Sequence, residues 1–228
     1  MLRSKMFVRA MLVAVASIAL SGCFDLTQSV SLRKDGGGEY RVAVSATGFV
    51  GGALKNGKSK FDVGDNPNAR TTTTVENGVT TRTSTIPFHS LSDLSLSSET
   101  VAVHVTGHSL FGLGATHAIF RRSFRVGDAK KSVEHNDDDD AAAQGILSSI
   151  FGNHFYTFRV TLPGTVDWIA PVYAGDARIK PTISGNTIIW RMPLEEMIEA
   201  RDLRFSIGFS TWGSLKEAQS QPGKSDKS

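Results

Sequence analysis

The chain has 228 residues, a formal charge of +3, a pI near 9.1 and a hydrophobic fraction of 40%. Three of its 25 lysines and arginines fall in the first nine residues, leaving 22 against 22 acidic residues. The rest of the chain therefore lacks the net positive field that nucleic-acid backbones require, and no nucleic-acid partner is expected. A single cysteine excludes an internal disulfide, and no later apolar run is long enough to cross a bilayer.

The first element is an export signal. Arg3, Lys5 and Arg9 precede an apolar run from Ala10 to Leu20, broken only by Ser17, and no acidic residue occurs before Asp25. A basic start, a short apolar core and small residues at its end describe a secretory signal. As a transmembrane helix, Ala10 to Gly22 would be about 20 Å long against a hydrocarbon core of ~30 Å. An ordinary signal peptide would leave Cys23 unpaired in an oxidising compartment. Leu20-Ser21-Gly22-Cys23 resembles the lipobox of bacterial lipoproteins. That resemblance implies signal peptidase II cleavage between Gly22 and Cys23, with lipid on the Cys23 thiol. Each buried acyl methylene contributes about 0.8 kcal/mol, so two or three chains hold a protein on a membrane.

Strands follow. Leu26, Ser29 to Leu32 and Tyr40 to Val44 flank Asp35-Gly36-Gly37-Gly38 and read as a hairpin. Phe49 to Lys60 is a short helix or a loop. Thr71 to Val75 and Val79 to Ile86 form a second hairpin around Glu76-Asn77-Gly78, where Asn-Gly is a strong turn signal. Ser90 is placed to cap a short helix or turn over Ser90 to Leu96. Val101, Val103 and Val105 alternate with Ala102, His104 and Thr106, a strand, and Ala118 to Val126 is the strand that pairs with it. Asp137 to Asp140 precede an amphipathic helix over Ala141 to Phe151. Tyr156 to Val160 is a strand ending at Pro163-Gly164. Ile179, Ile183 and Thr187 to Trp190 mark two more around Gly185, then come a helix over Glu195 to Arg201 and a strand over Leu203 to Phe209. Residues 1–22 are thus a lipoprotein signal peptide and 23–213 a single exported domain. Residues 214–228 read as a disordered polar tail. The fold class is α+β: a mainly antiparallel sheet of hairpins with two or three short helices packed on it.

Several of these segments carry a family likeness. The lipobox cysteine leads into a strand, an Asp-Gly-Gly-Gly turn and a second strand. Phe88-His89-Ser90-Leu91-Ser92-Asp93-Leu94, Val160-Thr161-Leu162-Pro163-Gly164, Gly185-Asn186-Thr187-Ile188-Ile189-Trp190 and Pro193-Leu194 follow. Together they resemble the LppM-like lipoproteins of bacteria. The resemblance implies an exported α+β domain that contacts envelope lipids or glycolipids, with Cys23 as its anchor.

Motifs with chemical content are few. Gly107-His108-Ser109-Leu110-Phe111-Gly112 approaches the nucleophile elbow of esterases, but its second glycine is one residue late and a strand follows instead of a helix. His135, Asn136 and Asp137 to Asp140 offer oxygen ligands for a hard cation without the alternating order that wraps one. His104 and His108 share a strand face but stand ~13 Å apart along it, too far for one metal. Gly112-x-Gly114 lacks the third glycine of a dinucleotide loop. Arg121, Arg122 and Arg125 read as a solvated strand face.

No catalytic residue, metal or cofactor is therefore expected, and the domain reads as non-catalytic. Its partners are the membrane, through Cys23, and a lipid, glycolipid or other apolar ligand enclosed by the sheet. The alternative is a docking unit for other envelope proteins. An internal apolar cavity favours the first and an exposed patch the second. Phe24 after the cysteine points to the outer membrane, facing the periplasm, in a Gram-negative cell. In a single-membrane cell the protein sits on the outer face of the plasma membrane.

Overall fold

The computed structural model describes residues 24–56, 68–96, 99–109, 114–125, 154–200 and 202–222. The signal peptide, Cys23, Gly112, the Asp137 to Asp140 run and the expected helix over residues 141–151 lie outside them.

The described residues begin as strand. β1 (Phe24–Leu32) pairs antiparallel with β2 (Gly38–Ala46) across the turn that the glycines demanded, with Gly36 at φ +84°. A short helix, α1 (Gly48–Lys55), packs on β2 and on β4. β3 (Arg70–Glu76) and β4 (Val79–Phe88) form the second expected hairpin, with Asn77 and Gly78 at φ +51° and +78°. Two residues of positive φ match the twist of the flanking strands. Ser90 caps a single 3₁₀ turn (Leu91–Asp93): its side chain accepts from Ser92 N, and Asp93 Oδ2 accepts from His89 N and Ser90 N at 2.9 Å each. The box seats Leu91 and Leu94 in the core.

After β5 (Ser95–Leu96) come two long strands, β6 (Glu99–His108) and β7 (Ala115–Arg125). The chain returns to the first sheet with β8 (Phe155–Thr161), then makes four short strands: β9 (Thr165–Ile169), β10 (Val172–Ala174), β11 (Ala177–Ile179) and β12 (Thr182–Ser184). β13 (Thr187–Pro193), α2 (Leu194–Glu199) and β14 (Asp202–Trp212) complete the body, followed by β15 (Ala218–Gln219) and β16 (Gln221–Pro222).

Two sheets result. The larger runs β12-β13-β8-β1-β2-β4-β3 and the smaller β15-β6-β7-β14-β9. All pairings in them are antiparallel except β1 with β8. The class is mainly antiparallel sheet with minor helix. The layer covering the larger sheet is a second sheet, and the two helices pack on strands of the larger one, α1 on β4 and β2 and α2 on β13 and β8. Both sheets alternate apolar and polar residues, so each has one face to hide and they hide them against one another. Phe158 of β8 meets Phe205 of β14 at 4.6 Å between ring centroids, and Trp190 of β13 stacks on Phe158 at 5.7 Å. With Phe120, Ile207 and Phe209 these side chains fill the space between the sheets.

The expected disordered tail is corrected in part. Two short strands lie within it: Ala218 and Gln219 extend the smaller sheet on β6, and Gln221 and Pro222 pair in parallel with β5. Leu215 is buried, and Ser220 Oγ accepts from Val101 N at 2.9 Å while its own N–H donates to Val101 O at 2.8 Å. A polar segment gives no apolar period, yet its backbone can still complete a sheet edge.

Candidate functional site

The two sheets carry three polar or open features: one between them, one on an outer face, one at an edge.

Between the sheets lies a closed ring of polar side chains. On β7, Ala118, Phe120, Arg122 and Phe124 alternate toward the core, so Arg122 takes an inward position and is only 1% exposed. Its Nε donates to Glu99 Oε2 at 2.5 Å, and Nη1 donates to the Tyr156 hydroxyl at 2.6 Å. Its Nη2 donates to Gln28 Oε1. The Tyr156 hydroxyl also donates to Gln28 Oε1, at 2.6 Å. Gln28 Nε2 donates to the Tyr40 hydroxyl at 3.3 Å, which donates to Glu99 Oε1. The guanidinium lies 4.2 Å above the Phe158 ring.

Electrostatics hold the ring in one protonation state. Burial pushes the Tyr40 hydroxyl well above its ordinary range, and the Glu99 carboxylate adds to that. Burial likewise raises Tyr156 to about 12, against the opposing pull of Arg122. Burial opposes the charge on Arg122, but Glu99 and the two tyrosine oxygens outweigh it and keep the group above its usual value. A buried charge is tolerated when paired and hydrogen-bonded. Shut off from solvent, with its donors and acceptors engaged, the ring is a structural clasp between the sheets. This corrects the expectation of a solvated Arg121–Arg125 face: Arg121 is exposed, but Arg122 points into the core. Reading the alternation of β7 would have found it; reading the three arginines as one cluster concealed it.

The outer face of the smaller sheet is shaped by two β-bulges. In β6 the register steps from Val105 opposite Ala118 to Gly107 opposite His117, leaving Thr106 unmatched. In β9, Trp168 opposes Gly208 and Val166 opposes Phe209, leaving Asp167 as the extra residue. A bulge reverses which residues point outward beyond it. The first one corrects the expectation that His104 and His108 share a face. His104 Nδ1 lies 2.9 Å from Glu217 Oε1 on the outer side, whereas His108 Nδ1 lies 3.0 Å from Thr116 Oγ1, whose residue is buried. The same bulge turns Ser109 outward, where its Oγ lies 3.2 Å from His117 Nε2. The strand end expected just before Ser109 is present, and β7 follows, while residues 110–113 of the expected turn lie outside the described residues.

At the edge of the sandwich, β9 and β12 are the border strands of their sheets, and the β10–β11 segment lies between them in the chain. An open cleft of about 400 Å³ is lined there by Trp168, Ile169, Ile179 and Ile183, with Arg178 and Lys180 supplying positive charge. Trp168 and Ile183 are roughly half exposed, at 47% and 55%. Trp168 lies flat over Gly208, where an added Cβ would come within 2.0 Å of its Nε1. Apolar surface left open beside cations suits a ligand with a hydrocarbon part and an anionic or polar head. Among the described residues, this open apolar surface stands at the edge of the sandwich.

Among the described residues, no three His, Cys, Asp or Glu side chains converge as a metal site, and no helix is long and apolar enough to cross a membrane. The cleft escaped the sequence reading because β9 and β10 show no alternation between Pro163-Gly164 and Gly175.

No family model matches the chain, and no curated protein does. Among solved structures, the chain is similar to the folded domain of the LppM protein of Mycobacterium tuberculosis, determined by NMR. The match covers 83% of this chain and 90% of that one, at 11% sequence identity and a TM-score of 0.41.

Proposed function

We propose that this chain is a lipid-anchored envelope lipoprotein whose domain binds an amphipathic ligand, a lipid or glycolipid, in the cleft between β9 and β12. The observation that carries the reading is the juxtaposition of half-exposed Trp168 and Ile183 with Arg178 and Lys180 in one open cleft. The apolar wall would take hydrocarbon and the cations an anionic head.

The lipobox at Leu20 to Cys23 supports the anchor, and the start of the domain supports a close one. Phe24 is already paired with Ala46, and its N–H donates to His154 Nδ1 at 2.7 Å. Lipid on Cys23 would therefore hold β1 directly at the bilayer without a linker. Pro193 of β13 pairs with Phe155 near that end, whereas the Gly185 turn closes the opposite end. In this reading the cleft faces away from the anchoring membrane. That membrane is the outer membrane in a Gram-negative cell, or the plasma membrane where it is the only one.

The test is to purify the full chain gently from its host and analyse co-purifying lipid by native mass spectrometry. A single recurrent lipid class at one per chain, lost in Trp168→Ala and weakened in Arg178→Glu/Lys180→Glu, is the expected result. An empty protein that takes up no added envelope lipid would overturn it. A second reading, docking of envelope proteins, has its own observation. Among the described residues, β3 is the border strand of the larger sheet and all seven of its residues are exposed, the kind of edge that pairs with another strand. Crosslinking from β3 to another envelope protein, with no lipid bound, is the outcome that favours it.

A further inference from the structure

We propose that Ser109 is an activated nucleophile that takes an acyl group from a carboxylic ester, with His117 as its base and Asp167 orienting His117. This goes beyond the binding reading and does not depend on it.

The argument rests on which atom faces which. Ser109 Oγ lies 3.2 Å from Nε2 of His117, and Asp167 Oδ2 lies 3.8 Å from Nδ1 of the same ring. The other carboxylate oxygen, Oδ1, accepts from Ser210 Oγ at 3.0 Å. A carboxylate on Nδ1 favours the tautomer with its proton there, which leaves the Nε2 lone pair facing the serine hydroxyl. Serine, base and orienting acid thus occupy the relative positions of a nucleophilic triad, with Asp167 looser than a formed hydrogen bond, as is common before substrate binds.

Three strands and two irregularities assemble the group. Without the bulge at Thr106, Ser109 would point to the other face of the sheet; the bulge at Asp167 delivers a carboxylate where regular alternation along β9 would not. Bulges are concentrated beside active sites because they re-aim single side chains in this way. His117 and Asp167 are 50% and 37% exposed, so an ester can reach them, and Asp167 also forms part of the cleft wall. The arrangement is not the nucleophile elbow that the glycines around Ser109 imitate, since its base comes from the next strand of a hairpin.

The step balances without an oxidant, reductant or metal. Ser109 Oγ adds to the ester carbonyl carbon as its proton moves to His117 Nε2. The tetrahedral centre then collapses, the ester C–O bond breaks, and the proton on Nε2 passes to the departing alkoxide. The products are acyl-Ser109 and a free alcohol.

The experiment treats the full chain with p-nitrophenyl acetate, following p-nitrophenol release and mapping the adduct by peptide mass spectrometry. One acetyl group on Ser109 is expected, absent in Ser109→Ala. His117→Gln should slow its formation on the order of a hundredfold, the usual contribution of a positioned base. Asp167→Asn should slow it less, and Asp167→Glu should recover part of the rate, which a merely structural role would not produce. All three side chains are accessible, and the circular dichroism spectrum of each variant checks that it is folded. As an independent measurement, a fluorophosphonate probe should label Ser109 in the native chain and not in urea. Acetylation confined to lysines, an unlabelled native chain, or a rate indifferent to His117→Gln overturns the proposal.

Discussion

Strand β7 puts Arg122 and His117 on opposite faces of one sheet, and the contrast between them organises the molecule. On the inner face the guanidinium is enclosed by Glu99, Gln28, Tyr40 and Tyr156, its charge compensated and its protons engaged. On the outer face a histidine with a serine and a carboxylate beside it stays half open to solvent. Both are small networks of polar side chains on a β-sheet. Burial makes the first a clasp with one allowed state, and exposure leaves the second free to meet another molecule.

Removing a member from the inner network should be the most damaging change in the protein. Arg122→Ala is expected to cost about 3–5 kcal/mol, because Glu99 would remain buried without its partner. Urea unfolding measures this directly. The paired replacement Arg122→Met/Glu99→Leu should recover most of the loss; if it proves as unstable as the single variant, the clasp does more than offset its own burial.

Alkali should open the same network. Tyr40 and Tyr156 both lose their protons less readily when folded than an ordinary tyrosine at about 10, Tyr156 only near about 12. A raised folded-state pKa contributes stability that is complete below the unfolded value and disappears as pH passes the folded one. Unfolding between about pH 10 and 12, with tyrosinate absorbance rising in step with loss of the β-sheet circular dichroism signal, is the expected outcome. Tyrosine ionisation of a chain that stays folded would mean the ring is open to hydroxide.

Smaller effects follow toward the surface. Ser220→Ala removes the acceptor for Val101 N in a buried setting and should cost about 1–3 kcal/mol, read from the urea midpoint. It tests whether the last strands are part of the fold. His117→Gln should shift stability by less than about 0.5 kcal/mol, as for an exposed residue, despite lying on the same strand as Arg122. A large loss there would erase the distinction between the two faces.

Several parts of this architecture were legible locally. Asn77-Gly78, the Asp35 to Gly38 turn and the Ser90 to Asp93 cap are encoded within four residues each, and all three appear where the sequence puts them. The position of Arg122 was legible too, in the alternation of Ala118, Phe120 and Phe124. The cleft and the Ser109 cluster were not, because nothing in the spacing of Ser109, His117 and Asp167 announces two bulges or a shared face.

By itself the amino-acid order determined the export signal reading, the hairpins and the antiparallel class, since charge, turn residues and period-two patterning act over short distances. Only the tertiary structure decided that a second sheet covers the first, that residues 218–219 extend its edge while 221–222 pair with β5, and that polar residues from five strands close into one ring. The physical reason is register. A shift of one residue in pairing reverses every side chain beyond it, and that choice is made by packing between distant strands.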